Sequence, residues 1–169
     1  LVAYQNALFD ADRVVGALMD GLRARGLADR TLFVFIGDHG EAVTQHPGNT
    51  GHSLVLYDEN VRVPLVIAAP GSSLSGARVG RVASVVDVTP TVLDLLGLPA
   101  SPQHEGGSLL KPRERMALFE TDYATGWLGL RDRCWKVIVE VETHRTQLYD
   151  VCRDPGETTD RSSERADFA

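Results

Sequence analysis

Thr31-Leu32-Phe33-Val34-Phe35-Ile36 runs directly into Gly37-Asp38-His39-Gly40-Glu41. The first stretch is rich in strand formers and apolar on both faces, which predicts a strand buried on both sides, as in a parallel sheet. The second places two carboxylates and an imidazole at the carboxyl end of that strand, where open α/β sheets hold their ligands. Neighbouring side chains of an extended strand point to opposite faces, so Asp38 and His39 can meet at one ion only if the chain turns there. Gly37 and Gly40 permit such a turn. A carboxylate beside an imidazole suits Mn2+ or Zn2+ better than Ca2+, which prefers oxygen donors alone. The plainer alternative is a strand-end turn in which Asp38 caps the following amides.

Upstream, residues 3 to 25 carry Leu8, Ala11, Val15, Leu18 and Leu22 at three- and four-residue spacing, the pattern of an amphipathic helix. Gly26 supplies a left-handed stop, with Leu27 closing on the last turn. Downstream, a polar, Gly-rich loop extends to about Ser53. Leu54 to Asn60 reads as one or two helical turns, and Pro64 to Ala69 as a second buried strand. A third short strand is expected at Val82 to Val86. Thr89 as N-cap and Pro90 at the first helical position open a helix that stops at Gly97. Residues 98–113 read as irregular. Beyond them the pattern changes to short segments, among which Trp135, Val137, Val139 and Val141 alternate like one face of a hairpin. The expected architecture is α/β: a mostly parallel sheet flanked by helices over residues 1–113, then a small antiparallel unit with a polar tail over 114–169.

The composition suits a folded domain: 169 residues, 43% hydrophobic and 24% charged. A net charge of −6 argues against a nucleic-acid partner, which calls for a basic stripe. The longest apolar run, Val63 to Pro70, is far short of the roughly 18 residues a membrane span needs, so no membrane segment is expected in this chain. Cys134 and Cys152 are too few for a disulfide framework and read as small structural residues.

Three of the five histidines fall between residues 39 and 52. His52, between Gly51 and Ser53, is placed to offer a cation or a proton near a metal-bound anion. His46, beside Pro47, reads first as a solvated loop residue and second as a supporting partner of the site. Glu41 reads as a supporting partner or helix-start residue rather than a ligand.

Asp38-His39-Gly40-Glu41, Gly51-His52 and the stretch Leu56-Tyr57-Asp58-Glu59-Asn60-Val61-Arg62-Val63-Pro64-Leu65 together resemble the sulfatase family of the alkaline-phosphatase superfamily. So do Ser84 to Thr91, Leu95-Leu96-Gly97, Leu148-Tyr149-Asp150 and Asp154-Pro155-Gly156-Glu157, in the same order. The resemblance runs from about Tyr4 to Asp160. It implies a metal-dependent hydrolase of sulfate esters. Asp38 and His39 match the pair that completes the family's metal site, and His52 matches the Lys or His set against the ester oxygen, a catalytic and substrate-binding position. Arg62 falls in an Arg-x-Pro stretch whose arginine is structural. Many sulfatases carry Asp-Asn where this chain has Asp-His, which shifts the expected ion from Ca2+ or Mg2+ towards Mn2+ or Zn2+.

The resemblance also implies an early Asp-Asp pair and a Cys- or Ser-x-Pro-x-Arg nucleophile, converted to formylglycine, that this chain does not contain. The chain therefore reads as the carboxyl-terminal portion of a sulfatase-like enzyme, inactive when isolated. A phosphodiester or phosphonate monoester hydrolase, or a phosphoryl-headgroup transferase, is the alternative chemistry. A catalytically incomplete fragment is the alternative of another class. The substrate expected is a small-molecule, glycan or lipid sulfate ester. A periplasmic, extracellular or membrane-anchored parent fits the family, and an exposed sheet edge is expected to drive self-association.

Overall fold

The computed structural model describes residues 2–52, 54–72, 76–112, 114–123 and 125–164. In chain order its elements are α1 (Val2–Ala24), β1 (Phe33–Ile36), β2 (Ala42–Val43), β3 (Thr50–Gly51), α2 (Asp58–Val61), β4 (Leu65–Ala68), α3 (Val88–Leu95), β5 (Met116–Thr121), β6 (Trp127–Asp132), β7 (Trp135–Glu140) and β8 (Thr146–Asp150). They fall into two compact units. One comprises residues 1–37 and 64–78, the other residues 38–63 and 79–169. Among the described residues no helix is long and apolar enough to cross a membrane.

In the first unit α1 ends as its sequence dictates. Gly26 takes φ +65°, Leu27 N–H donates to Leu22 C=O at 2.9 Å, and Gly26 N–H to Arg23 C=O at 3.0 Å. These two bonds are a Schellman stop, which satisfies the last carbonyls of the helix. The two apolar strands do pair, but antiparallel, with Phe33 opposite Ala68 and Ile36 opposite Leu65. The expected parallel sheet is thus absent among the described residues. The connection, residues 37–64, is long enough for a crossover but carries, among its described residues, only a four-residue helical turn and a two-residue strand pair, not a crossover helix. Burial on both faces is also corrected: Phe35, Ile36 and Val66 are exposed.

The second unit is built on one antiparallel sheet in the order β5-β6-β7-β8, as expected for the chain after residue 114. Its buried face is the opposite of the one expected on β7. Lys136 and Ile138 are buried, while Trp135, Val137 and Val139 are only half-buried. Ile138, Trp127, Tyr149 and Val151 pack with Leu56, and Val55, Tyr57, Val61 and Phe119 close the rim. The 55–61 segment thereby rests on the sheet. Gly129, paired with Phe119, has no room for a side chain because a Cβ would overlap the Phe119 ring.

Cys134 and Cys152, expected as separate small residues, form a disulfide across the β7–β8 ends, where Val151 N–H also donates to Cys134 C=O at 2.8 Å. The strand expected at Val82 to Val86 is instead a short 3-10 turn (Val85–Asp87) leading into α3. Ser84 and Asp87, rather than Thr89, cap this entry through a reciprocal capping box. Buried Asp87 also accepts from Gly107 N–H and Arg115 Nη1, both at 2.8 Å.

Candidate functional site

Gly40 decides the local geometry. Its N–H donates to Asn60 C=O at 2.8 Å, and a Cβ on it would overlap the Glu59 carbonyl. Only glycine lets the chain approach α2 this closely, and the approach turns the backbone just after Asp38 and His39. In that turn His39 N–H donates to Asp38 Oδ1 at 3.0 Å. This backbone donor, with the nearby His39 ring, holds the exposed Asp38 carboxyl below the usual carboxylate range.

His39 Nδ1 lies 2.9 Å from Gly40 C=O. A carbonyl can only accept, so Nδ1 carries the proton and the Nε2 lone pair is free. That Nε2 stands 3.7 Å from Asp38 Oδ2. Fixing one imidazole nitrogen on a backbone carbonyl is how metal-ligating histidines are oriented. One free imidazole nitrogen beside an ionised carboxylate therefore fits a divalent ion with mixed nitrogen and oxygen preference. Both groups are accessible, with Asp38 90% and His39 45% exposed at the side chain.

The short strands β2 and β3 bring the rest. Ala42 pairs with Gly51 and Val43 with Thr50, so the same register sets Glu41 opposite His52. His52 Nδ1 meets Glu41 Oε2 at 3.1 Å. The His52 ring stacks on His39, with centroids 3.9 Å apart and planes 24° from parallel. Asp38, His39, Glu41 and His52 are thus gathered in one exposed cluster, as the sequence suggests.

His46 is elsewhere, and its reading as a solvated loop residue is corrected. Its ring is largely buried and stacks on Tyr57 at 3.7 Å. Nδ1 pairs with Glu59 Oε1 at 2.6 Å, and Nε2 reaches the Glu157 carbonyl at 3.2 Å. Burial disfavours the charged ring, yet the Glu59 carboxylate and the Glu157 carbonyl outweigh it and raise the His46 pKa. Glu59 is held low in turn: burial opposes ionisation, but His46 and Asn49 overcome it.

One buried group in this framework escaped the sequence reading. Lys136, 1% exposed, places Nζ 2.8 Å from both Asp58 Oδ1 and Glu157 Oε1. Glu157, at φ +50°, also accepts the Asp58 N–H at 2.5 Å. Burial raises the Glu157 pKa, against the pull of Lys136. The available signal was a lysine, one of only two in the chain, flanked by Trp135, Val137, Ile138 and Val139. Arg62 is exposed and faces Asp58 of its own helical turn at 4.0 Å.

The family model Sulfatase matches residues 1–98. Arylsulfatase K of Bos taurus is 29% identical over 89% of this chain, which spans 31% of that protein's length. A solved structure of BT4656, in complex with its substrate D-glucosamine-2-N,6-O-disulfate, is 25% identical, with a TM-score of 0.75 over 95% of this chain and 36% of that one. The phosphonate monoester hydrolase SpPMH from Silicibacter pomeroyi shares the fold at 23% identity, with a TM-score of 0.72 over 93% of this chain and 37% of its own.

Proposed function

We propose that this chain, which belongs to the sulfatase family, supplies two metal donors and a proton-donating imidazole to the hydrolysis of a sulfate ester. Asp38 Oδ2 and His39 Nε2 would hold a divalent ion, with Mn2+ or Zn2+ suited to the pair. Such an ion, when bound, stabilises negative charge on the non-bridging oxygens of the ester. The observation that carries this reading is the anchoring of His39 through Nδ1, which leaves Nε2 facing the Asp38 carboxylate.

His52 has the second role. Glu41 holds its Nδ1, so Nε2 is the atom left for the substrate. A carboxylate behind an imidazole stabilises the imidazolium and orients it, which suits a group that gives a proton to a departing alcohol oxygen. Glu41 and the stacked His39 ring limit the swing of His52 and keep it beside the donor pair. The nucleophile is not among this chain's residues, and the formylglycine of the family belongs to the reading only through that membership.

The substrate class proposed is a sulfated small molecule, glycan or lipid, and a sulfated sugar such as the one BT4656 binds is the first to test. The nitrogen donor at His39 also suits a phosphate diester or phosphonate ester, the second reading. Turnover of an aryl sulfate and an aryl phosphate diester, measured side by side on the protein as encoded and loaded with Mn2+ or Zn2+, separates them. The sulfate ester is expected to turn over faster. A faster phosphate diester favours the second reading, and turnover of neither leaves the chain a catalytically incomplete fragment.

A further inference from the structure

We infer that Cys134, Asp150 and Cys152 form a metal site of their own, apart from the exposed histidine cluster, that takes Zn2+ once the disulfide is reduced. One donor atom from each of the three residues lies within 4.8 Å of the others. None of them is shared with Asp38, His39, Glu41 or His52. The disulfide is the oxidised form of this site, and a zinc-bound pair of thiolates is its reduced form.

The backbone holds the three residues together without help from the sulfur–sulfur bond. Trp135 pairs with Asp150 at the β7–β8 ends, and one step further Val151 N–H donates to Cys134 C=O at 2.8 Å. Arg153 and Asp154 N–H then donate to Asp150 C=O at 3.0 and 2.8 Å, which folds the turn carrying Cys152 back on the strand end. The cysteine Cα atoms stand 5.1 Å apart. Two thiolates on a tetrahedral zinc, with Zn–S legs of about 2.3 Å, stand about 3.8 Å apart, a spacing that rotation about the two Cα–Cβ bonds can set. Asp150 is poorly partnered for a carboxylate whose side chain is only 10% exposed. Its Oδ1 accepts from Arg153 N–H at a long 3.3 Å, and its Oδ2 faces Arg153 Nε at 3.8 Å on a side chain 83% exposed. Two thiolates and a carboxylate select zinc over Ca2+ and Mg2+ and leave a fourth position for water.

Cys152 is exposed and Cys134 half-buried, so a small dithiol and an ion can both reach the pair. Reduction by a dithiol breaks the Cys134–Cys152 bond: two electrons pass to the protein sulfurs, the dithiol closes to its own disulfide, and its two protons end on the two Sγ atoms. Zn2+ displaces both protons as it binds. The test is a Co2+ titration of this chain after dithiol reduction and removal of the dithiol without air. It is followed by the thiolate-to-cobalt charge-transfer band, which imidazole and carboxylate ligands do not give. The reduced chain is expected to stay folded by circular dichroism and to show the band, and the oxidised chain to show none. Asp150→Asn should weaken binding by about tenfold or more, a loss on the scale that even supporting residues of metal sites produce. Cys152→Ser should lose the band at the Co2+ concentration that saturates wild type. Zn2+ at one equivalent should displace the Co2+ and raise the melting temperature of the reduced chain. A reduced chain that unfolds, a folded one without the band, or an Asp150→Asn chain that binds as tightly as wild type would overturn the site. Should Asp150→Asn fail to fold, the band and the Zn2+-induced rise in wild type decide, and absence of either overturns it.

Discussion

Two histidine clusters sit in the same compact unit and have opposite fates. In one, His39 and His52 stack in the open beside Asp38 and Glu41. In the other, His46 lies between Tyr57, Glu59 and the Glu157 carbonyl, with Asn49, Asn60, Lys136 and Asp58 forming the polar interior around it. The residue types are nearly the same. What differs is how many polar atoms are already used. Both ring nitrogens of His46 are engaged, whereas His39 and His52 each have Nδ1 fixed and Nε2 available. A buried ring with both nitrogens engaged helps specify the fold, and an exposed ring with one nitrogen left over is available to a ligand.

The comparison breaks first at Lys136. Lys136→Ala would leave Glu157 buried without its cation, while Asp58 keeps Arg131 Nη1 at 3.7 Å, a loss of about 3–5 kcal/mol. For a domain of this size that lowers the melting temperature by roughly 10 °C. Thermal unfolding followed by circular dichroism checks it, and a shift below about 2 °C would show that the network is not structural.

The next effect is His46→Ala, expected to cost about 2 kcal/mol through the lost charge-assisted bond to Glu59. Its pH dependence sharpens the contrast. The raised His46 pKa makes its contribution complete below the ordinary 6.5 and lost as pH climbs through the higher folded value. The lowered Glu59 pKa makes its contribution complete above the ordinary 4.5 and lost as pH falls through the lower folded value. The gap in melting temperature between wild type and His46→Ala should therefore be larger at pH 5.5 than at pH 8.5. An equal gap at both would remove the ion pair from the account.

The smallest effect belongs to the exposed cluster. Glu41→Gln should change stability by no more than about 0.5 kcal/mol, since its partner is half-exposed. A loss comparable with that of His46→Ala would place Glu41 in the scaffold instead.

Much of this arrangement was legible in the sequence because it is local. Gly26 ends α1 by its own backbone freedom. Gly37-Asp38-His39-Gly40 turns where two glycines allow it, and Glu41 and His52 meet across a short pair of strands. The antiparallel order of β5 to β8 follows from their short connections. The rest depends on partners distant in sequence. The direction of pairing between β1 and β4 is not carried by their own apolar residues, which suit either direction. On β7 both parities contain apolar residues, and the buried one carries Lys136 because Asp58 and Glu157 come to it from distant segments. His46 looked solvated because neither Tyr57 stacking nor the Glu157 carbonyl can be read from a neighbouring Pro47. The Cys134–Cys152 pairing likewise follows from the sheet bringing the β7 and β8 ends together.

The central claim is that Asp38 and His39 hold the catalytic ion while contributing little to the fold. Aryl sulfate turnover by Asp38→Ala in the protein as encoded, measured alongside its melting temperature, tests this most directly. The account predicts turnover about 10²–10³-fold below wild type, with a melting temperature within about 2 °C of it. Undiminished turnover, or a loss of activity matched by a loss of fold, would contradict it.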